Sequence, residues 1–228
     1  MAGLADVLPK AQLVERFGSK LVLEEYGKPL LKIVAMKDPG SLHGLAANVW
    51  NRIVTKHWHK VDPQQLGPCF QMRDPKLHTA ISKLLRIEVI RDIYYVKGWR
   101  RPKTNANLVV EMMVAHVYRN DLQLVDVTFI NPGERIQPSA RKSVLQSHKG
   151  LGLLPTLLAN LQAKAEELGC EQLTLTAGTE AEMKLFEGHG FVIEDSAVGR
   201  LSRLTRVGYP MERDVIRRKS TQTPAIDC

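Results

Sequence analysis

Cysteine is scarce in this chain, and its placement excludes two kinds of scaffold. The 228 residues include three cysteines, Cys69, Cys170 and Cys228, which are odd in number and far apart. Neither a disulfide framework nor a zinc-type C-x-x-C spacing is present. His57 and His59 come nearest to a metal pair, but on the helix predicted there the two imidazoles point in different directions. The sequence therefore predicts free thiols in a reducing cytoplasm and no metal site.

Long apolar runs are also missing. None approaches the length needed to cross a bilayer. The N-terminal sequence MAGLADVLPKAQ has no apolar centre of the kind found in secretory signals. With 44% hydrophobic and 25% charged residues, the composition is ordinary for a soluble globular protein, and the length fits one domain. We therefore expect a cytoplasmic protein with no membrane partner.

Acidic residues are outnumbered: 24 Asp and Glu stand against 32 Lys and Arg, which gives a net charge of +8. Such a balance favours an anionic partner, and both a nucleic acid and an acidic protein would fit. The most basic short stretch is Lys97–Lys103. Its cations around Trp99 would either hold phosphates while the indole stacks on a base, or form a solvated hairpin tip.

A helix that begins at glycines is the main feature that is present. Apolar residues from Leu153 to Leu168 recur at the i, i+3, i+4, i+7 spacing of a helix with one buried face. Strand-like segments, Leu122–Ile130 and Glu171–Ala177, lie before and after it. The stretch His148–Gly152 opens this helix, and unpaired N–H groups at such a start suit a phosphate or pyrophosphate.

The order of these segments resembles the GNAT acyl-CoA N-acyltransferases. Ser147–Gly152 is similar to their pyrophosphate loop, [Q/R]-x-x-G-x-[G/A], which follows the fourth strand. Thr179–Phe191 is similar to their second motif, and Tyr209–Arg213 to the last strand. The chain departs from the family's pattern at Ser147 (usually Gln or Arg), at Thr179 (usually Asn), and at Phe186, where a Tyr often protonates the departing thiolate. An apparent insertion, roughly 136–146, precedes the glycines.

The resemblance implies an α/β (α+β) fold with a mixed, mostly antiparallel sheet flanked by helices on both faces. It predicts that segments 122–130 and 171–177 are neighbouring parallel strands joined by the glycine-opened helix. The expected organisation is an N-terminal arm over 1–20, a GNAT-like domain over 21–213 and a polar tail over 214–228. Acetyl-CoA or another acyl-CoA would be the co-substrate, and its phosphates would account for part of the positive charge.

The implied activity is transfer of an acyl group to an amine on a small molecule or a protein. Two alternatives stay open: a GNAT-fold binding protein without activity, and an acyltransferase that acts on nucleic acid or aminoacyl-tRNA. By resemblance, the cofactor-binding residues are Thr128, Phe129, Ile130, Ser147, His148, Lys149, Gly150, Leu151, Gly152, Leu153 and Phe186.

Removal of a proton from the amine needs a base, for which a carboxylate near the thioester is the usual candidate. Asp126 on the fourth strand is our first candidate, and Glu111 on the third strand is the second. The alternative is that each carboxylate simply faces solvent on a half-exposed strand. With Phe186 at the usual tyrosine position, Tyr118, Tyr209 or a water would have to protonate the thiolate.

Patterns elsewhere predict further elements. Leu21–Glu25 and Pro29–Met36 are typical of two strands of a hairpin, and Ser41 is typical of a helix N-cap. Pro75–Leu85 predicts a helix. Strands are expected over Ile87–Val96 and Leu108–Tyr118. The segment Ser196–Ser202 is predicted to connect the sixth strand to the last one. Arg200, Arg203 and Arg206 are spaced by three, so on a strand they would alternate faces rather than form one basic row.

Overall fold

The computed structural model describes residues 3–52, 90–118, 120–133 and 152–215. The helices within these ranges are α1 Lys10–Phe17, α2 Leu31–Lys37, α3 Pro39–Arg52, α4 Leu153–Glu167, α5 Glu180–Glu187 and α6 Ala197–Thr205. The strands are β1 Leu21–Gly27, β2 Ile90–Arg100, β3 Leu108–Val117, β4 Asp121–Phe129, β5 Gln172–Ala177, β6 Val192–Ile193 and β7 Tyr209–Asp214. The predicted helix at Pro75–Leu85 and the histidines at 57 and 59 lie outside the described residues.

One sheet of seven strands, in the order β1-β2-β3-β4-β5-β7-β6, organises the chain. Its neighbours are antiparallel except for β4 and β5, which are parallel and joined through α4. A parallel pair needs a crossover of this kind, whereas the antiparallel neighbours β3 and β4 are joined by a short turn. This is the strand–helix–strand arrangement that the resemblance predicts, so the GNAT-like mixed fold is confirmed.

Alternation along the central strands gives the sheet two buried faces. Tyr94 and Val96 enter a first core cluster, while Ile93 and Tyr95 enter a second one. The first cluster lies under α1, α4 and α5, and we call this side the α4 face. The second lies under α2 and α3, and we call this side the α3 face. Helices therefore cover both faces, as predicted.

Helix α3 is held to its face by the apolar positions that the sequence indicates. Leu42, Leu45 and Val49 are fully buried, and each contributes roughly 1.5–3 kcal/mol of hydrophobic stabilisation. The helix begins earlier than predicted. It starts at Pro39, and the Asp38 carboxylate accepts a hydrogen bond from the Ser41 N–H at 3.1 Å. Asp38, rather than Ser41, is thus the residue that caps the first turn.

Two other predictions of local structure are wrong. Pro29–Met36 is not a strand, because Leu31 and Val34 bury one side of the short helix α2 while Met36 is exposed. The segment after β6 is not a simple connection, because it contains helix α6. The Ser196 hydroxyl caps this helix by accepting a hydrogen bond from the Gly199 N–H. On that helix Arg200 and Arg203 are three residues apart, so they lie on neighbouring turns of one side.

Helix α6 has an unusual orientation, with its apolar side chains outward. Leu201 is 57% exposed and Leu204 81% exposed, whereas Gly199 and Ser202 face the protein. Position 199 requires glycine, because a Cβ there would overlap the carbonyl oxygen of Glu194.

The N-terminal residues contribute to the first core cluster. Leu4, Val7, Leu8 and Leu13 are buried in it, and Gln12 donates a hydrogen bond to Thr156 of α4 at 2.9 Å. No helix within the described ranges combines the length and apolar content needed to span a bilayer.

Candidate active site

The sheet opens into a fork between β4 and β5. Their pairing runs only from Asp121–Gln172 to Leu124–Leu175. Beyond that point β4 remains paired with β3, and β5 remains paired with β7 as far as Ala177. Val125 is an extra residue on β4, because Met113 pairs with Asp126 while the next β3 residue pairs with Leu124. A bulge of this kind bends its strand and interrupts the ladder, which accounts for the fork at this position.

The backbone of β4 beyond the bulge presents hydrogen-bonding groups to the fork. The Ile130 N–H donates to the Val109 carbonyl on the β3 side at 2.8 Å. Because N–H and C=O directions alternate along an antiparallel strand, those of Val127 and Phe129 point away from β3. They face the opening, where an extended ligand can pair with them.

Asp126 lies at the root of the fork, on the α3 face. It stands opposite Met113, a residue of the second core cluster. Burial raises the pKa of the Asp126 carboxyl, and the negative charges of Asp38 and Glu111 raise it further. A carboxylate with a raised pKa is a better proton acceptor near neutral pH than an ordinary aspartate.

Glu111 lies on the same face but is already engaged. Its carboxylate accepts hydrogen bonds from the Tyr95 hydroxyl at 2.8 Å and from the Lys97 ammonium at 3.0 Å. Burial raises the pKa of Tyr95, and the bond to Glu111 adds to that rise. Since one of its oxygens already binds two donors, Glu111 is less available to an incoming amine than Asp126. Its charge nevertheless contributes to the environment of Asp126.

The start of α4 supplies the second part of the candidate site. Gly152 precedes the helix with φ 59° and ψ 25°, a left-handed conformation that favours glycine. Its carbonyl accepts the Thr156 N–H at 3.0 Å, and a Cβ added at Gly152 would meet no protein atom within 4 Å. Leu153 is buried in the first core cluster. The remaining predicted loop residues, Ser147, His148, Lys149, Gly150 and Leu151, lie outside the described residues.

The other predicted site residues are divided between the two faces. Thr128 stands opposite Glu111 on the α3 face, and Phe129 packs against the first core cluster on the α4 face. Ile130 follows the end of β4. Phe186 is also in the first cluster, where its ring packs edge-on against Phe191 at 5.8 Å between centroids. The structure therefore brings Thr128 beside the two carboxylates and places Phe186 on the other side of the sheet.

The two tyrosines proposed as proton donors lie in different places. Tyr118 follows β3 at the closed end of the sheet, where Val117 pairs with Asp121. Tyr209 is buried opposite Ala177, at the open end of β5. Of the two, Tyr209 lies on the side of the fork.

Most of the basic segment Lys97–Lys103 is engaged within the protein. Lys97, Trp99 and Arg100 belong to β2, and the indole of Trp99 is buried. Lys103 pairs with Glu24 and its ammonium lies 4.5 Å from the Trp99 ring centre. The buried indole is not available to stack on a base, whereas Arg101–Lys103 are exposed in the connection between β2 and β3, as expected of a solvated hairpin tip.

Two features of the site were not predicted. Sequence reasoning missed the bulge at Val125, and it missed the buried charge cluster around Arg52. Arg52 donates to Asp121 at 2.9 Å and to Gln172 at 3.1 Å, and its guanidinium lies 3.6 Å from Glu194. Within the described ranges, no group of three or more His, Cys, Asp or Glu is arranged to hold a metal ion.

Comparison with known proteins finds similarity only at the level of structure. No family model and no curated protein matches the sequence. A putative acyl-CoA N-acyltransferase from Klebsiella pneumoniae is 16% identical and gives a TM-score of 0.37. The match covers 86% of this chain and 98% of the other. PaiA N-acetyltransferase from Thermoplasma acidophilum, in complex with coenzyme A, is 13% identical over 85% of this chain and 99% of its own, with a TM-score of 0.35.

A nourseothricin acetyltransferase is 14% identical and gives a TM-score of 0.33; the match covers 54% of this chain and 66% of the other. Identities and TM-scores this low give no activity, cofactor or acceptor to this chain. The GNAT-like fold is defined by the strand order and by the parallel β4–β5 pair.

Proposed function

We propose that this protein is an N-acyltransferase that moves an acetyl or other acyl group from acyl-CoA to an amine. The fork between β4 and β5, with Asp126 at its root, is the observation that carries the proposal. A parted strand pair offers backbone groups to an extended thioester substrate, and a half-buried carboxylate beside it offers a base.

The charge distribution around the fork supports an amine acceptor. Although the chain carries a net charge of +8, the acids Asp38 and Glu111 are close enough to Asp126 to raise its pKa, in addition to the effect of burial. A carboxylate-lined entrance attracts a protonated amine and then accepts its proton. The acyl-CoA would occupy the other side, with its pyrophosphate at the start of α4 near Gly152.

The reaction then needs little from the rest of the chain. Asp126 takes a proton from the amine, directly or through water, and the free amine attacks the thioester carbonyl. N–H groups at the fork stabilise the oxyanion, and the thiol leaves with a proton from water or Tyr209. A thiol with an ordinary pKa of about 8.5 is a fair leaving group, so the phenylalanine at position 186 does not exclude the reaction.

Titration calorimetry with acetyl-CoA, followed by a thiol-release assay with a panel of amines, tests the proposal. We expect binding heat and amine-dependent thiol release. Asp126→Asn should lower kcat at least about tenfold without weakening acetyl-CoA binding, and should remove the acidic limb of the pH–rate profile. If no acyl-CoA gives heat or a thermal shift, a binding protein without transferase activity becomes the better assignment. If Asp126→Asn leaves turnover intact, Glu111 becomes the candidate base.

A further inference from the structure

A small cavity with several polar side chains in its wall lies on the α3 face, directly beneath the fork. It has a volume of about 20 Å³. Its walls include Gln123 and Thr174, together with Arg52, Thr176 and Glu194. Gln123 and Thr174 pair with each other across β4 and β5, one position before the strands part.

Three polar atoms in the wall of this cavity lack hydrogen-bond partners. They are Gln123 Oε1, Thr174 Oγ1 and Arg52 Nε. Gln123 is 2% exposed and Thr174 3% exposed, so bulk water does not satisfy them. Buried polar atoms without partners are rare because each costs free energy, so these three atoms need a partner from a water or from a ligand.

The chemistry of these atoms selects the kind of group. Gln123 Oε1 needs a donor, Arg52 Nε–H needs an acceptor, and the Thr174 hydroxyl can supply either role. A volume of about 20 Å³ admits one heavy atom with its hydrogens, since a water needs roughly 10–15 Å³. A hydroxyl meets all three demands. An ammonium cannot accept from Arg52, a methyl satisfies none of the atoms, and a carboxylate is too large and would face Glu194.

We propose that the acceptor is an amine that also carries a hydroxyl group, and that this hydroxyl binds in the cavity between Gln123 and Thr174. This inference rests on the proposed acyl transfer. Asp126 lies on the same face, three positions further along β4. At about 3.3 Å per strand residue, the reacting nitrogen and the hydroxyl lie within roughly 10 Å of each other.

The test compares three acceptors of equal length that differ only at the end: aminobutanol, diaminobutane and pentylamine. Longer and shorter homologues of each compound control for the distance between the reacting nitrogen and the terminal group. Binding is measured by calorimetry, and kcat/KM by thiol release from acetyl-CoA. We expect the amino alcohol of the best-fitting length to exceed both others at least about tenfold, because a site built for a hydroxyl rejects analogues that lack it.

Two substitutions in the cavity test the residues. Thr174→Val and Gln123→Met retain shape but remove the unsatisfied oxygens, so both variants should fold with an unchanged or raised Tm. The preference for the amino alcohol should shrink to about twofold or less. Thr205→Val, an exposed threonine of α6, is the matched control and should keep the wild-type preference.

The outcomes separate this inference from the proposed function. Equal binding of the three acceptors by a folded, active protein would mean that the cavity holds only a structural water, which overturns the inference. Preference for the diamine would overturn it as well. Tighter binding of the amino alcohol without thiol release from any acyl-CoA would support the cavity assignment and overturn acyl transfer.

Discussion

At the scale of the residue, Asp126 shows how position rather than residue type determines chemistry. The chain contains many carboxylates, but this one is half-buried just beyond the β4–β5 pairing, with two other acids close by. Both effects disfavour its charged form, so its pKa rises. The environment that raises its pKa also makes the ionised side chain a source of instability.

That instability is measurable as a pH dependence of folding. With its folded pKa above the unfolded value of about 3.9, Asp126 binds more protons in the folded state, so stability falls as pH rises through this window. Asp126→Asn removes this loss of folding stability, so the variant should be more stable than wild type at neutral pH. The difference in unfolding free energy between the two proteins should vanish below about pH 3.5. Asp195→Asn, at a carboxylate whose side chain is 94% exposed, should show no such difference. Urea unfolding across the pH range gives the measurement.

The same residue scale explains an inert thiol. Burial raises the pKa of Cys170 to about 12. The free thiol that the sequence predicts is therefore present, but it is not a nucleophile at neutral pH.

At the scale of the element, the two ends of α4 provide a controlled comparison. Gly152 (φ 59°) and Gly169 (φ 67°) both have left-handed backbones, and a Cβ would meet nothing within 4 Å at either. Alanine at each should cost about 1–2 kcal/mol of stability through the same backbone strain. Only Gly152→Ala should also weaken acetyl-CoA binding, by about tenfold or more in calorimetry. Equal affinity for both variants would place the pyrophosphate elsewhere.

A second pair of glycines reports on helix packing. Gly44 lies in α3 with open space around it, whereas Gly199 lies in α6 against the Glu194 carbonyl. Gly44→Ala should stabilise the protein by up to about 1 kcal/mol through helix propensity. Gly199→Ala should destabilise it by about 1–3 kcal/mol or more through overpacking. Thermal unfolding distinguishes these opposite signs, and a neutral result at Gly199 would contradict the close packing of α6.

Periodicity predicted the elements that bury a regular apolar face. The α4 spacing and the alternation in β5 were sufficient, because the core itself imposes those patterns. Periodicity failed for α2, where a run rich in β-branched and apolar residues is too short to show its period. It also failed for α6, because that helix turns Leu201 and Leu204 outward and buries Gly199 and Ser202.

At the scale of the whole molecule, Arg52 joins distant parts of the chain. From α3 it reaches Asp121 in β4, Gln172 in β5 and Glu194 after β6. Arg52→Ala removes the cation that buried carboxylates share and should cost about 3–5 kcal/mol of unfolding free energy. Arg200→Ala breaks an exposed pair with Asp195 and should cost about 1 kcal/mol or less. Chemical denaturation of both variants measures the difference, and comparable small losses would contradict a central role for Arg52.

The candidate site was predictable only where a local motif indicates it. The glycines before α4 and the carboxylate on β4 could be identified in the sequence, since each belongs to a short stretch with a recognisable neighbour. The cavity could not be predicted, because Gln123 and Thr174 are brought together by a parallel pairing between segments that α4 separates. The cluster around Arg52 could not be predicted either, because the partners of this residue come from three separate segments of the chain.

Val125 has a consequence for how this architecture can be gained or lost. The bulge leaves Val125 and Asp126 on one face, while Leu124 and Val127 remain on the other. Deletion of this single residue would therefore preserve the inward and outward pattern of all that follows, and would straighten β4 against its neighbour. A deletion of one codon therefore separates a sheet that is open between β4 and β5 from a continuous sheet with the same core, so the fork can be lost without loss of the fold.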